Sequence, residues 1–346
     1  MLSREADACY WIGRSVERAE ATARLVDVYY HAALETFLPM ALEEPREGEG
    51  DEVSAIQWHS ILAISGNLTG YEARYGTTND REVLYYFGFD PENSNSILSV
   101  WKAARENARS IRDQISSEMW ESLNSSYLKL REWDVDRVLS LGPHEYFQTV
   151  RDYSHLFQGI LNRTLMMGEA RDWIDAGRFL ERADQTSRLL GIQHYDSLTG
   201  GAGAGTAAEI AAEAAIESES PDRLGPLNIH AWMAVLKSAC AFEMYRKTYR
   251  VGVTPVNVVD FLVLNPKFPA SVRHCVERVS GCLSRISGNT AESGTEPERL
   301  LGRLRADLMY ARPQEILAGS LHDFLNDVQN RCVMIGNAIT RTFLSY

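Results

Sequence analysis

At 346 residues the chain is long enough to bury a large core, and its 45% apolar and 24% charged residues are globular rather than disordered composition. A formal net charge of −12 excludes a general nucleic-acid binder, which needs a basic footprint, and disfavours docking on anionic membranes. Five dispersed cysteines (Cys9, Cys240, Cys275, Cys282, Cys332), with no C-x-x-C, fit buried thiols in a reducing compartment better than disulfides or a zinc site.

Helical periodicity begins almost at once. Cys9, Ile12, Val16, Ala19, Ala23, Val26 and Tyr30 recur in steps of three and four, one stripe down a first helix. No charged leader with an apolar core precedes it, and no run approaches the roughly eighteen apolar residues of a membrane span, so a cytoplasmic protein is expected. Glu43–Glu52 reads as an acidic, solvated loop. After turn residues 93–95 and a Ser96 cap, a second stripe runs through Ile97, Trp101, Ala104, Ala108, Ile111 and Ile115. Trp101 and Trp120 read as core. Ser197–Pro226, with its glycine-alanine run, reads as a flexible linker or loop; a phosphate cradle would end in Gly-Lys-Ser/Thr. Val256–Leu264 is β-branched, but Asn265-Pro266 closes it and it reads as a short helix. Leu321, Leu325, Val328, Cys332, Ile335, Ile339 and Phe343 mark the last helix. With no alternating strand pattern, the expected fold is all-α: a multi-helix bundle forming one domain over residues 1–346.

One helix motif occurs twice. Residues 12–28 and 176–192 align at an offset of 164 with eight identities in seventeen positions: Gly13/Gly177, Arg14/Arg178, Glu17/Glu181, Arg18/Arg182, Ala19/Ala183, Thr22/Thr186, Arg24/Arg188 and Leu25/Leu189. That agreement predicts a duplication, or convergence on one role. Each glycine sits inside a helical pattern, where it costs about 1 kcal/mol relative to alanine. Close approach of another backbone is the usual compensation, so the two helices are predicted to cross near their glycines about a pseudo-twofold axis. Arg14, Glu17 and Arg24 share one face, and Glu20–Arg24 and Asp184–Arg188 are favourable acid-before-base pairs. Three readings of the charges compete: a solvated face, structural pairing across a helix interface, and a binding or catalytic site. Tyr10, Trp11, Trp173 and Phe179 leave these helices little room for a wet side, and buried charges must be paired.

Arg105, Arg109 and Arg112 form a like-charged stripe at i, i+4 and i+7. Glu17 and Glu181 are candidate counter-charges, as is a phosphate or peptide carboxylate; Glu106 and Asp113 offer local pairing instead. Complete catalytic constellations are missing. Asp152-x-x-His155 is a lone half of a di-iron pattern, and His155 reads as a packed or surface histidine. Asp323 and Asp327 have no second acidic motif. No His-Glu-x-x-His, nucleophile elbow or dinucleotide fingerprint occurs.

The opening Tyr10-Trp11-Ile12-Gly13-Arg14-Ser15-Val16-Glu17-Arg18-Ala19-Glu20 resembles that of the alpha-E family, bacterial helical proteins named for a Glu-Arg motif. Ser96–Leu98, Ala104–Arg109, Trp120–Asn124, Ser154–Phe157, Gly177–Asp184 and Asn265–Arg273 are similar to that family too, so the resemblance covers the chain except the glycine-alanine segment. It implies company with a circularly permuted ATP-grasp ligase-like protein and a transglutaminase-like protease, in a system making or trimming peptide amide bonds. The chain lacks both partner types, so the expected role is a non-catalytic accessory or scaffold that binds such a partner or presents its substrate. An enzyme using the paired glutamates and a structural, oligomer-forming protein are the alternatives. The candidate binding residues are Arg14, Glu17, Arg18, Arg24, Arg178, Glu181, Arg182, Arg188, Arg105, Arg109 and Arg112. No catalytic residue, metal ligand or cofactor is expected.

Overall fold

Helix starts follow short polar side chains. Ser96, Ser116, Asp134, Thr254, Ser271 and Ser320 each accept the backbone N–H three residues on, satisfying a donor that the first turn leaves free. Thr295 and Glu298 form a reciprocal capping box. Pro143, Pro255 and Pro313 open helices where a missing N–H costs nothing.

A computed structural model describes residues 1–40, 58–66, 68–76, 78–199, 226–250, 252–288 and 294–345. Among them there is no strand, and the fold is all-α. In chain order the helices are α1 (Ser3–Met40), α2 (58–64), α3 (Leu68–Tyr75), α4 (Asp80–Gly88), α5 (Ile97–Ser110), α6 (Ser117–Leu130), α7 (Val135–Leu141), α8 (Pro143–Thr164) and α9 (Glu169–Thr199). They continue with α10 (Pro226–Ser238), α11 (Phe242–Thr248), α12 (Pro255–Val259), α13 (Val272–Ile286), α14 (Glu296–Tyr310), α15 (Pro313–Ala318) and α16 (Leu321–Ile339). The β-branched run is helical as expected, α12 passing into a π-helical turn, Asp260–Leu264, before Asn265-Pro266. Ser197–Thr199 close α9 and Pro226 opens α10; the glycine-alanine run between them and Glu43–Glu52 lie outside the described residues.

The two motif helices, α1 and α9, pack against each other through the most extensive helix–helix contact among the described residues. Around them the wiring repeats. In the first half α5 and α8 both pack on α1 and α6 bridges them; in the second, α13 and α16 both pack on α9 and α14 bridges them. The turns entering α5 and α13 match as well. Ser96 Oγ donates to the carbonyl of Asp90, in Asp90-Pro91, and Ser271 Oγ donates to that of Asn265, in Asn265-Pro266.

The apolar stripes form the core. Cys9, Ile12, Ala19, Ala23 and Val26 of α1 are wholly buried, as are Ile97, Trp101, Ala104 and Ala108 of α5 and Ile335 and Ile339 of α16. Trp120 differs from expectation: it is half-buried, because Arg105 and Arg112 lie over its ring. Cys240 differs too. Four cysteines are buried free thiols, but Cys240, in the turn after α10, is exposed with a positive φ of 52°.

Candidate functional site at the motif crossing

Close approach begins at the glycines. A Cβ on Gly13 would lie 2.1 Å from the carbonyl oxygen of Ile174, and one on Gly177 would lie 2.1 Å from that of Tyr10. Residue 174 is residue 10 shifted by 164, so the shift that aligns the sequences also exchanges the two contacts. Any side chain here would push the helices apart. Gly13 and Gly177 are tolerated inside their helices because the crossing requires them.

The ion pairs one turn on obey the same exchange. Arg18 grips Glu181, with Nε 2.7 Å from Oε1 and Nη2 3.0 Å from Oε2; Arg182 grips Glu17, with Nη2 2.7 Å from Oε2. Each glutamate is therefore held by the other helix, not by the arginine three residues before it, and the motif is a reciprocal clasp. These are bidentate, charge-assisted contacts of the strong kind.

Beyond the shared clasp the two sides diverge. Glu181 has no exposed surface and receives two further donors, Arg14 Nε at 2.8 Å and Gln185 Nε2 at 3.0 Å. Burial opposes its charge, but Arg14 and Arg18 outweigh burial and hold its carboxyl far below the usual carboxylate range. Glu17, equally buried, has Arg182 alone. Arg178, the counterpart of Arg14, turns away: its Nη2 lies 2.9 Å from Asp175, which stands where the first copy has Trp11. Burial lowers the pKa of Arg178 despite Asp175, and the neighbouring Arg182 adds to the effect; Arg14, by contrast, is raised because Glu181 more than offsets its burial.

A cavity of about 290 Å³ opens on the Glu17 side. Glu17, Glu20, Ala21 and Arg24 of α1 form one wall, and Arg182, Gln185, Thr186 and Arg188 of α9 form another. Leu25, Leu189, Ile64 and Phe268 add apolar surface, and Ser238 and Cys240 close the end. Arg24 donates to Glu20 through Nε at 3.0 Å, and Arg188 to Asp184 at 2.8 Å, the two expected same-helix pairs. His155, read as packed or at the surface, is exposed and places Nε2 3.8 Å from Glu20. Burial opposes the Glu20 charge, but His155 and Arg24 prevail and lower its pKa from 4.5 to about 2. Ser238 Oγ is buried with no hydrogen-bond partner in the protein. Although Cys240 is exposed as a residue, the cavity wall partly desolvates its thiol and raises the pKa against the opposing Arg24, so a reactive thiolate is disfavoured.

Eight of the eleven candidate residues thus meet at one crossing: Arg14, Glu17, Arg18, Arg24, Arg178, Glu181, Arg182 and Arg188. The other three do not: of the counter-charges considered for the arginine stripe, Glu106 pairs with Arg105 and Arg109, and Glu17 and Glu181 do not face it. Arg105 Nε donates to Asn124 at 2.7 Å and Arg109 Nε to Glu106 at 2.8 Å, while Arg112 covers Trp120. The physical reason is twofold. The glutamates are already occupied, and α5 ends at Ser110, so Arg112 leaves the helical face. The turn before α5 reaches the clasp through Asn95 instead: its Oδ1 accepts from Arg18 Nη1 at 2.8 Å. Sequence reasoning missed Asn95, Gln185, Ser238 and the Phe268–Ala270 wall. Gln185 alone carried a signal, standing at i+4 from Glu181 on the motif helix.

Residues 1–344 match Alpha-E, a predicted alpha-helical domain with a conserved ER motif, and the chain belongs to that family. Uncharacterized proteins of Mycobacterium bovis and of two strains of Mycobacterium tuberculosis are each 22% identical to it over 328 residues, covering 89% of this chain and 32% of theirs. The chain spans about a third of the length of the curated relatives it matches. No solved structure matches. Among the described residues, no helix is long and apolar enough to cross a membrane.

Proposed function

We propose that this Alpha-E chain is a non-catalytic accessory protein of an ATP-grasp-associated peptide or amide modification system, and that the cavity at the α1–α9 crossing receives the substrate it presents. The observation that carries this reading is the cavity itself. It lies beside the motif, pairs apolar walls with amide and hydroxyl groups, and retains in Ser238 a buried Oγ without a protein partner. Mostly apolar walls with a few placed polar groups are the usual make-up of a small-ligand site.

The charges favour binding over chemistry. A general acid or base works best with a pKa near the operating pH. Glu181 is held far below that range and Glu20 is at about 2, while every cavity arginine is engaged by a carboxylate. That speaks against the enzyme alternative with paired glutamates. The relatives' additional length supports a partner: in them the matched segment shares a chain with about twice as much other sequence.

Two measurements test the proposal. Affinity-tagged protein is expected to retain a co-expressed ATP-grasp-type ligase-like protein from the same organism; failure of the purified pair to associate overturns the accessory role. Ala239→Phe, on the cavity wall, is expected to weaken binding of that system's peptide substrate without releasing the partner. Substrate binding unchanged by the filled cavity removes the site from the proposal.

A further inference from the structure

Away from the motif crossing, α1 and α8 bring three metal-competent side chains together. Asp27 and His31 stand one turn apart on α1, and His144 is the second residue of α8. His144 Nδ1 lies 2.9 Å from Asp27 Oδ1, and His31 Nδ1 lies 3.5 Å from the same oxygen. One ligand atom from each residue falls within 4.8 Å of the others, the only such trio among the described residues. Tetrahedral coordination with zinc-type bonds of 2.0–2.1 Å sets neighbouring donors about 3.3 Å apart. The distances from Asp27 Oδ1 bracket that value.

We propose that Asp27, His31 and His144 form a binding site for a divalent transition-metal ion of the zinc type. This inference does not rest on the accessory role. The surroundings suit such an ion. Both imidazoles are about half exposed, which gives an entry path, while Asp27 is buried and fixed. Arg151 Nη2 lies 3.0 Å from Asp27 Oδ2, so the carboxylate is anchored through one oxygen and offers the other. The arginine also neutralises the aspartate, which puts the affinity on the two imidazoles. Imidazole donors select zinc, nickel or copper over magnesium and calcium, which require oxygen. His31 Nδ1 also lies 2.8 Å from the Asp27 carbonyl oxygen, so binding through that nitrogen exchanges a backbone hydrogen bond for a metal bond. Three protein donors leave a fourth position for water or a partner's ligand, and the ion ties the start of α8 to α1.

The second half of the molecule lacks this arrangement. His322 is likewise the second residue of its helix, α16, but position 191, the counterpart of Asp27, is Gly191. His322 instead has Asn326 at 2.9 Å. The site belongs to the first half alone.

Calorimetric titration of the full, tag-free chain with zinc chloride tests the assignment, together with cobalt absorption as a report of coordination. One equivalent is expected to bind with a micromolar or lower Kd. His31→Ala and His144→Ala should each weaken it by more than about a hundredfold, beyond the roughly 10–100-fold usual for losing a supporting contact alone. The double variant should abolish it while keeping the helical circular dichroism, because both rings are exposed. Absence of saturable zinc binding, an unchanged affinity in the double variant, or equal binding of magnesium each overturns the proposal.

Discussion

The two halves of the molecule repeat the same wiring and the same motif, yet their glutamates live in different surroundings. Glu181 is enclosed by Arg14, Arg18 and Gln185, all three donating to its carboxylate. Glu17 has Arg182 and then a cavity. The clasp and the glycine crossing are shared because they hold α1 to α9, and neither half can lose them without the other. The residues around the clasp are free to differ. Where they do, one glutamate gains two extra donors and the other borders an opening.

Charge removal probes that contrast most strongly. Glu181→Gln leaves two arginines, Arg14 and Arg18, without their shared counter-charge at a position with no exposed surface, and a loss of about 3–5 kcal/mol is expected. Glu17→Gln strands only Arg182, whose guanidinium borders the cavity and can be solvated, so about 1–2 kcal/mol is expected. Urea unfolding at pH 7 reads both. Equal losses would mean that the opening does nothing to relieve the Glu17 side. The glycines should behave the opposite way, as equals. Gly13→Ala and Gly177→Ala meet carbonyl oxygens at the same 2.1 Å, so each should cost roughly 3 kcal/mol, within about 1 kcal/mol of the other. A neutral alanine at either position would show that the close approach is not required there.

Much of this was legible in sequence, and the rest was hidden for physical reasons. The helices were readable because apolar spacing and cap residues act locally. The crossing was readable because a glycine that weakens a helix twice, at the same motif position, calls for a backbone contact. The partners of the charges were not. Spacing places Arg14 and Glu17 on one face, but the docked helices let Arg18 and Arg182 reach across, and contact between helices overrides proximity within one. Of the readings open for the arginine stripe of α5, local pairing holds for Arg105 and Arg109, while Arg112 lies past Ser110, and a helical face ends where its helix does. Asp27 and His144 are 117 residues apart, and only the packing of α8 on α1 joins them.

Acid titration separates a second pair of counterparts, Glu20 and Asp184. The pKa of Glu20 is lowered from 4.5 to about 2. A lowered folded-state pKa contributes stability that is present above 4.5 and lost as pH falls towards 2, at most about 3 kcal/mol here. Asp184 has the opposite sign: burial raises its pKa although Arg188 opposes, so protonation relieves the folded state as pH falls. Melting temperature followed from pH 6 to pH 2 should therefore fall less steeply in Glu20→Gln and more steeply in Asp184→Asn than in the wild type. Parallel curves for the two variants would erase the distinction.

The smallest expected effect addresses why the Glu17 side is open at all. Gln185 reaches Glu181 from one turn along α9, and its counterpart on α1 is Ala21, half-buried on the cavity wall. Ala21→Gln restores the missing amide to the only clasp that lacks it. A hydrogen bond to an already paired carboxylate contributes about 1.5 kcal/mol, the low end for a charged group, while ordering a glutamine side chain costs about 1–2 kcal/mol, so the net change should lie within about 0.5 kcal/mol of zero. A double-mutant cycle with Glu17→Gln isolates the contact, and a coupling near 1 kcal/mol is expected. The same substitution narrows the cavity and should weaken whatever ligand it holds. Coupling without loss of binding would place the ligand elsewhere, and loss of binding without coupling would mean that alanine is there for space alone. Both effects together would make this one residue the point at which a shared clasp is closed in one half and left open in the other.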